Sequence, residues 1–437
     1  MNHYYPSILR WSRGALAALL VLLTSCAPPK YDPPEPGEGR TVVLWISIDG
    51  VRPDYLTRTD LPFFDMLAEA GAASSGLAPV FPSLTFPNHV SQATGVTVDK
   101  HGVPLNSFYD SERDREFFYP GFPDLLQAEP IWTTAQRQDR RVAVYDWVLS
   151  HRQEGDRAAS YFGDRFDADL KDRERLQIVL DAWRRDRDAQ PLQLLMGYMM
   201  TPDVVGHEFG PDAPEIEDAM RKMNEHLSWF TRQALRIFNR RMDPEHDELY
   251  LIVTSDHGMS AVHTAVNPRD LTGITQDEDR EDTIFLMTSG NIAHVFLNNI
   301  EDDTEREARK AQILDSAKAH DFADVYTRDT LPERWGYAHP TRVGDIVVQL
   351  HTGYTFSRRV RGLTATPEEA GAALGMHGYD VETNPDMNGI ALFWRYPDPL
   401  GGIELGPTHS LQMHATIAKL LDIEPAEGAR TDAIELE

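Results

Sequence analysis

The chain has only one cysteine, Cys26, in 437 residues. It therefore cannot form an internal disulfide or a metal site built from several cysteines. Basic residues are also scarce, because 42 Lys and Arg stand against 69 Asp and Glu and give a net charge of −27. Such an acidic surface repels phosphate backbones, which argues against a protein that coats nucleic acids. An anionic small substrate would need a local positive charge, and a bound metal is the obvious source.

The N-terminal apolar run, Gly14–Leu23, is too short to span a bilayer, but it has the length of a secretory signal core. Arg10 and Arg13 precede it, and Cys26 follows two small residues at its end. This pattern resembles a bacterial lipoprotein signal, in which residues 1–25 are removed and the cysteine is lipidated. The alternative is an ordinary signal peptide or anchor with an incidental cysteine. The pattern predicts a lipid-anchored protein of the bacterial envelope, at the outer membrane and facing the periplasm.

Residues 26–40 are predicted to form the lipidated cysteine and a tether. The segment Ala27–Arg40 has five prolines in fourteen residues, so it cannot build a core. We expect an extended, polyproline-like chain with a reach of about 40 Å. The folded body of the chain would then stand away from the membrane.

From Thr41 the sequence alternates between apolar runs and amphipathic stretches. Buried strands are predicted at Thr41–Ile48, Arg141–Tyr145, Leu192–Met199, Leu249–Thr254, Ile292–Leu297, Asp345–Leu350 and Gly389–Trp394. Helices are predicted at Leu61–Ala70, Lys171–Arg185, Pro214–Phe238, Thr304–His320 and Thr408–Leu421. Strands that are apolar on both faces and alternate with helices predict an α/β fold with a largely parallel sheet covered on both sides. We expect one catalytic domain over residues 41–427, with residues 261–375 as a small inserted subdomain.

Acidic and histidine residues follow three of the predicted strands. Asp49 comes directly after the first strand, Asp203 and His207 follow Leu192–Met199, and Asp256 with His257 follows Leu249–Thr254. Another histidine, His377, precedes the last strand. In a parallel sheet, ligands bind beyond the carboxyl ends of the strands, so these side chains should meet at one edge.

Each of these pieces alone has an ordinary structural explanation. An Asp-Gly pair after a strand is commonly a turn, and an Asp and a His four residues apart commonly form a surface pair on a helix. Together, however, they supply the ligands that zinc accepts when no thiolate is available. Two Asp–His pairs, one further Asp and one further His are enough for two metal ions.

Thr85 is the candidate nucleophile. It begins a predicted helix that ends at Thr94, and Pro87 lies in the first turn, where its missing N–H costs nothing. At this position the helix dipole is positive and free N–H groups point outward. The alternative is that Thr85 simply caps the helix.

These motifs carry a family resemblance, in order, from Val43 to about Pro425. They include WISIDGVRPDYL, FPSLTFPNHVSQATG, TPDVVGHEFGP, TSDHGM and GMHGYDVETNPDM. The chain resembles the type I phosphodiesterase / nucleotide pyrophosphatase family of the alkaline phosphatase superfamily. The resemblance implies an alkaline-phosphatase-like α/β/α sandwich and a zinc-dependent enzyme that cleaves phosphodiester or pyrophosphate bonds in nucleotides or related small diesters. It implies no obligatory protein partner.

The resemblance also implies roles for residues, including two zinc ions bound a few ångströms apart. The metal ligands it implies are Asp203, His207 and His377 for one ion, and Asp49, Asp256 and His257 for the other, with Thr85 bridging toward the second. Thr85 would attack phosphorus and form a phospho-threonine. Asn106 matches the asparagine that donates a hydrogen bond to a phosphoryl oxygen. Asn88 would instead hold the turn at Thr85.

Substrate binding in this family involves aromatic side chains that stack on a flat group. Phe86, Phe166 and Tyr198 fall at matching positions, although each could equally be a core residue. The sequence departs from the family pattern at Leu84, where a lysine is common, and at Tyr145–Ser150, where Phe-Trp-Pro-Gly-Ser is common. Both departures border the leaving-group side of the site in that resemblance, and both argue against a simple preference for nucleotides.

Other functions stay open at this point. A phosphomonoesterase or a phosphonate hydrolase could use the same two-metal site, although no Arg or Lys motif supplies the extra cation that a monoester dianion favours. A sulfatase is disfavoured, because its usual modified cysteine would have to be Cys26. A catalytically dead binding protein is disfavoured, because no implied ligand is lost.

Overall fold

The structure, a computed structural model, describes residues 30–32, 39–280, 284–430 and 432–437. The predicted signal peptide, Cys26 and most of the predicted tether lie outside these described residues. Within them, no helix combines the length and the apolar character that crossing a membrane requires.

A mixed sheet of eight strands, called here the central sheet, forms the middle of the fold. From one edge to the other its strands are Ile403–Leu405, Ala72–Ser74, Ala391–Tyr396, Glu248–Thr254, Thr41–Ile48, Leu192–Met199, Arg141–Val144 and Tyr161–Phe162. The strand Ala391–Tyr396 runs antiparallel to both of its neighbours, and the other neighbouring pairs are parallel. The sheet is therefore largely parallel, as the sequence predicts.

Helices cover both faces of the central sheet. Alternation along the first strand explains why: Val42 and Leu44 are buried on one face, and Val43 and Trp45 on the other. The α-helices are Pro62–Ala70, Thr85–Thr94, Val98–His101, Ile131–Gln136, Asp172–Arg185, Thr201–Phe209, Pro214–Arg241, Pro268–Thr272, Gln276–Arg280, Asp303–Lys318, Pro367–Ala370 and Gln412–Leu420. Short 3-10 helices lie at Pro53–Thr57, Pro123–Leu125, Arg328–Thr330, Glu333–Trp335 and Pro385–Met387. This is the predicted α/β/α layering.

A second sheet, called here the small sheet, has four antiparallel strands in the order Phe285–Ser289, Ile292–Phe296, Ile346–Leu350 and Ala323–Thr327. The remaining strands pair as Thr264–Val266 with Tyr354–Phe356 and Thr364–Ala365, Ser260–Ala261 with Gly375–Met376, Leu77–Ala78 with Thr408–His409, and Phe108–Asp110 with Arg115–Phe117. The first and last residues of the predicted insertion, Ala261 and Gly375, are opposite each other in one of these pairs. The division of the chain into subdomains remains a proposal.

The sequence predictions differ from the structure in the sheet to which two strands belong and in the start of the last helix, while the other predicted helices begin within one residue of the observed starts. The predicted strands at Ile292–Leu297 and Asp345–Leu350 belong to the small sheet, because apolar runs record burial and not the sheet in which a strand pairs. The helix predicted from Thr408 begins at Gln412. Thr408 lies instead in the short strand Thr408–His409, which pairs with Leu77–Ala78.

One hydrophobic cluster joins the small sheet to the segment that precedes Thr85. The ring of Phe81 stacks on Trp335 with centroids 3.7 Å apart, and Val347 of the small sheet belongs to the same buried cluster. The conformation of the chain just before Thr85 therefore depends on packing against the small sheet.

A buried ion pair ties the same region together. Arg342 is 1% exposed, and its Nε donates to Asp110 Oδ2 at 2.9 Å. Its Nη1 donates to the carbonyls of Gly102 and Leu125 at 2.6 and 2.8 Å. Removing this guanidinium would leave a buried carboxylate without its partner.

We expect Arg342→Met to lower the free energy of unfolding by about 3–5 kcal/mol, because one half of a buried pair is removed. Urea unfolding of the wild type and the variant measures this change in the free energy of unfolding. Arg113→Met is the matched control, because Arg113 lies 3.8 Å from the same carboxylate but is 46% exposed, and it should cost under about 1 kcal/mol. Equal effects of the two substitutions would contradict this account.

Candidate active site

Three neighbouring strands of the central sheet end at the same edge and carry the acidic residues with them. Asp49 follows Thr41–Ile48, Asp256 follows Glu248–Thr254, and Asp203 lies in the first turn of the helix after Leu192–Met199. These strands are parallel, so their carboxyl ends coincide. Gly50 permits the convergence, because its φ is +70° and a Cβ there would lie 2.9 Å from Asp203 Cα.

The first cluster contains Asp49, Asp256 and His257. The Nε2 atom of His257 lies 3.3 Å from Asp49 Oδ1 and 3.1 Å from Asp256 Oδ2. All three side chains are buried, and their ligand atoms lie within 4.8 Å of one another. The arrangement suits one cation.

The second cluster contains Asp203, His207 and His377. The Nε2 of His207 lies 3.4 Å from Asp203 Oδ2 and 3.2 Å from His377 Nε2. His377 Nε2 is 3.5 Å from Asp203 Oδ1. The rings of His257 and His377 stack with centroids 3.6 Å apart, so the two clusters are immediate neighbours.

The three histidine rings are oriented by the backbone. Their Nδ1 atoms lie 2.8 to 2.9 Å from carbonyl oxygens: His207 from Gly375, His257 from Gly258, and His377 from Ser83. A carbonyl only accepts, so each Nδ1 carries a hydrogen and each Nε2 faces the clusters. This outer hydrogen bond is the arrangement that metal-binding histidines use.

The carboxylates also fit a cation. One oxygen of each, Asp49 Oδ1, Asp203 Oδ1 and Asp256 Oδ2, is buried and accepts no hydrogen bond within the described part of the chain. Buried carboxylate oxygens are normally paired or bound to metal. The residues present therefore match the donor set of a site with oxygen and imidazole ligands.

The pKa shifts of the residues in the two clusters also fit a site that binds cations. Burial, with the nearby charges of Asp256 and Asp203, raises the pKa of Asp49 well above its ordinary value. Burial also opposes ionisation of Asp256, but His257 and His89 hold the pKa of that carboxyl well below its usual range. Burial and the neighbouring His257 and His207 lower the pKa of His377, which keeps its ring neutral and able to bind metal.

Thr85 is the first residue of the helix Thr85–Thr94, and Leu84 before it is extended. Asn88 holds this turn: its Oδ1 accepts from the N–H of Val80 at 2.7 Å, and its Nδ2 donates to the carbonyls of Pro82 and Leu84. Thr85 is not the capping residue of this helix, because Leu84 holds that position without a side-chain capping bond. The Oγ1 atom of Thr85 lies 3.2 Å from His257 Nε2, beside the first cluster.

Asn106 lies beside Thr85 in the same cavity. Its Oδ1 accepts from the backbone N–H of Phe86 at 2.9 Å. Because the oxygen is occupied in this way, the Nδ2 amide is the group left to donate to a ligand. This is the orientation that a donor to a phosphoryl oxygen needs.

The cavity next to the clusters has a volume of about 290 Å³. Besides Thr85 and Asn106, it is lined by the predicted aromatic residues Phe86, Phe166 and Tyr198. The hydroxyl of Tyr198 donates to Asp49 Oδ2 in the first cluster, while the Tyr198 ring lines the cavity. Phe166 is 41% exposed and its centroid lies 6.2 Å from that of Tyr198.

The structure thus brings together every site residue predicted from Asp49 to His377, while their roles remain predictions. Sequence reasoning missed His89, whose Nδ1 lies 2.9 Å from the Thr85 carbonyl oxygen and 3.4 Å from Asp256 Oδ2. The signal was available, since His89 stands four residues after Thr85 and faces the same side of the helix. Tyr119 and His151 also line the cavity, on loops that carry no motif.

Comparison with known proteins agrees with this geometry. Residues 43–380 match the model of the family "Type I phosphodiesterase / nucleotide pyrophosphatase". Human ectonucleotide pyrophosphatase/phosphodiesterase family member 7 is 26% identical over 94% of this chain and 87% of its own length. Mouse bis(5'-adenosyl)-triphosphatase enpp4 is 28% identical over 77% of this chain and 68% of its own length.

Among solved structures, murine ectonucleotide pyrophosphatase/phosphodiesterase 5 shares the fold with a TM-score of 0.74 at 23% identity. The likeness covers 88% of this chain and 96% of that one. That structure is of an inactive threonine-to-alanine variant in complex with AMP.

The comparisons correct the predicted location. Relatives come from fission yeast, a nematode and mammals, which points to a eukaryotic protein and not to a bacterial envelope protein. The predictions of a bacterial lipoprotein, a periplasmic position and the outer membrane are therefore wrong, and nothing supports a lipid anchor at Cys26. The physical reason is that a ten-residue apolar run before a cysteine is too short a pattern to specify one export route.

The match spans most of the chain and includes both clusters and Thr85. The relatives are named as enzymes that hydrolyse phosphodiester or pyrophosphate bonds. The chain therefore belongs to the type I phosphodiesterase / nucleotide pyrophosphatase family, and it is a hydrolase that acts on phosphodiesters.

Proposed function

We propose that this enzyme hydrolyses phosphodiester or pyrophosphate bonds in nucleotide-type substrates, with two zinc ions and a phospho-threonine intermediate on Thr85. The observation that carries the proposal is the Thr85 hydroxyl, whose Oγ1 lies 3.2 Å from His257 Nε2. Five carboxylate and imidazole side chains that could hold metal surround it, and His207 lies 3.4 Å from one of them, Asp203. The names of the relatives, including a bis(5'-adenosyl)-triphosphatase, support a nucleotide-type substrate.

The ligands divide into two sets. Asp203, His207 and His377 would hold one ion, and Asp49, Asp256 and His257 would hold the other. When bound, the two ions supply Lewis-acid charge that favours an ionised threonine oxygen and neutralises the phosphoryl oxygens. The absence of any thiolate ligand and the mixture of carboxylate and imidazole donors both suit zinc.

The chain's own residues then account for covalent catalysis. Thr85 Oγ1 attacks phosphorus, so the Oγ1–P bond forms while the bond to the leaving oxygen breaks, and the leaving group takes the electron pair. Water later attacks the same phosphorus and releases Thr85. The amide of Asn106, fixed by the Phe86 N–H, donates to an equatorial oxygen that gains charge during both steps.

Charge favours a diester over the alternative phosphomonoester. The described residues that line the cavity include no Lys or Arg. A diester carries one negative charge at phosphorus, whereas a monoester dianion carries two and would need another cation. A monoesterase or phosphonate hydrolase remains the second candidate, because the same two ions could serve it.

Zinc removal should abolish turnover and lower the thermal midpoint, since only the folded chain assembles the ligands. His377→Ala should lose one of two ions and leave the cluster of Asp49, Asp256 and His257 filled. Elemental analysis of purified protein measures the stoichiometry. His246→Ala, which alters an exposed histidine, is the control and should keep both ions. One ion or none in active wild-type protein would contradict the proposal.

Thr85→Ala should lose nearly all hydrolysis of a diester and keep both zinc ions, because the hydroxyl is the nucleophile and only an auxiliary ligand. Thr85→Ser should keep part of the rate, since a hydroxyl remains. Thr94→Ala is the matched control on the same helix, where the hydroxyl only donates to the carbonyl of Val90. Steady-state rates with zinc present decide the outcome. An active Thr85→Ala enzyme would rule out attack by Thr85.

A further inference from the structure

His151 is a buried polar side chain without a full set of partners. It is 2% exposed, it lines the cavity that holds Thr85, and its Nδ1 has no hydrogen-bond partner within the described chain. A buried polar atom left unpaired is costly, so a ligand that supplies its partner would bind more tightly. The catalytic steps above give this nitrogen no role.

The surroundings of His151 decide which hydrogen bond it can make. Its Nε2 lies 3.5 Å from Asp146 Oδ1, and the other oxygen of Asp146 accepts from Nη1 of the buried Arg175 at 2.6 Å. Asp146 accepts from the guanidinium with one oxygen and faces Nε2 with the other, so Nε2 is the ring nitrogen that can donate to it. In that tautomer Nδ1 carries no hydrogen and is an acceptor.

The same ion pair supports an aromatic wall of the cavity. The guanidinium of Arg175 lies 4.4 Å from the ring centroid of Phe166, whose other neighbour is Tyr198. Contacts thus lead from Asp49 through Tyr198, Phe166 and Arg175 to the pair of Asp146 and His151. A flat group that packs against the Phe166 ring would bring its edge toward the polar atoms of Asp146 and His151.

Gly121 leaves room in front of Nδ1. It lines the same cavity, and a Cβ at this position would lie 3.5 Å from Nδ1, with no other side chain nearer. The backbone N–H of His151 donates to the Gly121 carbonyl at 3.1 Å, which fixes the two loops together. Because residue 121 has no side chain, a space the size of a methyl group lies in van der Waals contact with the unpaired nitrogen.

We propose that Nδ1 of His151 accepts a hydrogen bond from an N–H on the edge of a nucleobase, so that this enzyme selects substrates whose flat group carries such a donor. The proposal rests on the proposed function, because it places the retained nucleoside in the cavity beside Thr85. It assigns substrate selection to His151, which directly follows the segment Tyr145–Ser150 where the chain departs from the family pattern.

The test uses 4-nitrophenyl esters with one leaving group and three retained groups, and the zinc-loaded full chain. The retained groups are thymidine 5'-phosphate, its N3-methyl analogue, which lacks the N–H, and phenylphosphonate, which lacks a base. For the wild type we expect kcat/KM to be about tenfold higher for thymidine than for the N3-methyl analogue, the value of one hydrogen bond.

Four variants locate the effect. His151→Phe should abolish the preference by removing the acceptor, and His151→Asn should keep part of it by placing an oxygen near the Nδ1 position. Gly121→Ala should also abolish it, because a methyl group fills the space beside Nδ1 in ordinary van der Waals contact. Arg152→Ala, which alters an exposed neighbour paired with Asp164, should keep the wild-type preference.

Equal kcat/KM values for the two thymidine esters in the wild type would overturn the inference and leave the proposed function standing. A preference that survives in both His151→Phe and Gly121→Ala would also overturn it. Failure to hydrolyse any of the three esters, phenylphosphonate included, would instead contradict the proposed function. The two failures are therefore distinguishable.

Discussion

The active-site edge of the central sheet is dominated by the mutual repulsion of three carboxylates, two of which are buried and the third, Asp203, partly buried. Asp49, Asp203 and Asp256 converge there because their strands are parallel neighbours, and burial with mutual repulsion raises the pKa of Asp49. Hydrogen bonds from the protein relieve this repulsion only in part, since one oxygen of each carboxylate accepts no hydrogen bond among the described residues. Bound cations would relieve the remaining repulsion, and the Nε2 atoms of His207, His257 and His377 face the carboxylates in the way such a site needs.

The same constraint explains how an acidic protein can handle an anionic substrate. The net charge of −27 opposes the approach of a phosphate, although salt screens this over about 8 Å at physiological ionic strength. Local charge at the two clusters would therefore decide binding, because the other described residues that line the cavity include aromatic rings, the Asn106 amide and the Asp146 carboxylate but no Lys or Arg. Metal ions held by the clusters would be the main source of positive charge there.

Much of the fold was predictable, because burial on both faces of a strand leaves a continuous apolar run such as Thr41–Ile48. The direction of Ala391–Tyr396 and the separate small sheet were not, since burial records neither strand direction nor pairing partner. The clusters were predictable because each ligand stands at a strand end or in a compact motif. The pair of Asp146 and His151 was not, because it depends on loop backbone in which Asp146 and Leu149 both have φ of +58°.

The central claim is that the strand-end clusters and Thr85 form one unit for covalent phosphoryl transfer. The most direct measurement is acid quench of the zinc-loaded enzyme during turnover of a ³²P-labelled diester, followed by peptide mapping of the label. The account predicts label on the peptide that contains Thr85, and none in Thr85→Ala. Full turnover with no label at any time, together with an active Thr85→Ala enzyme, would contradict it and show that water attacks the substrate directly.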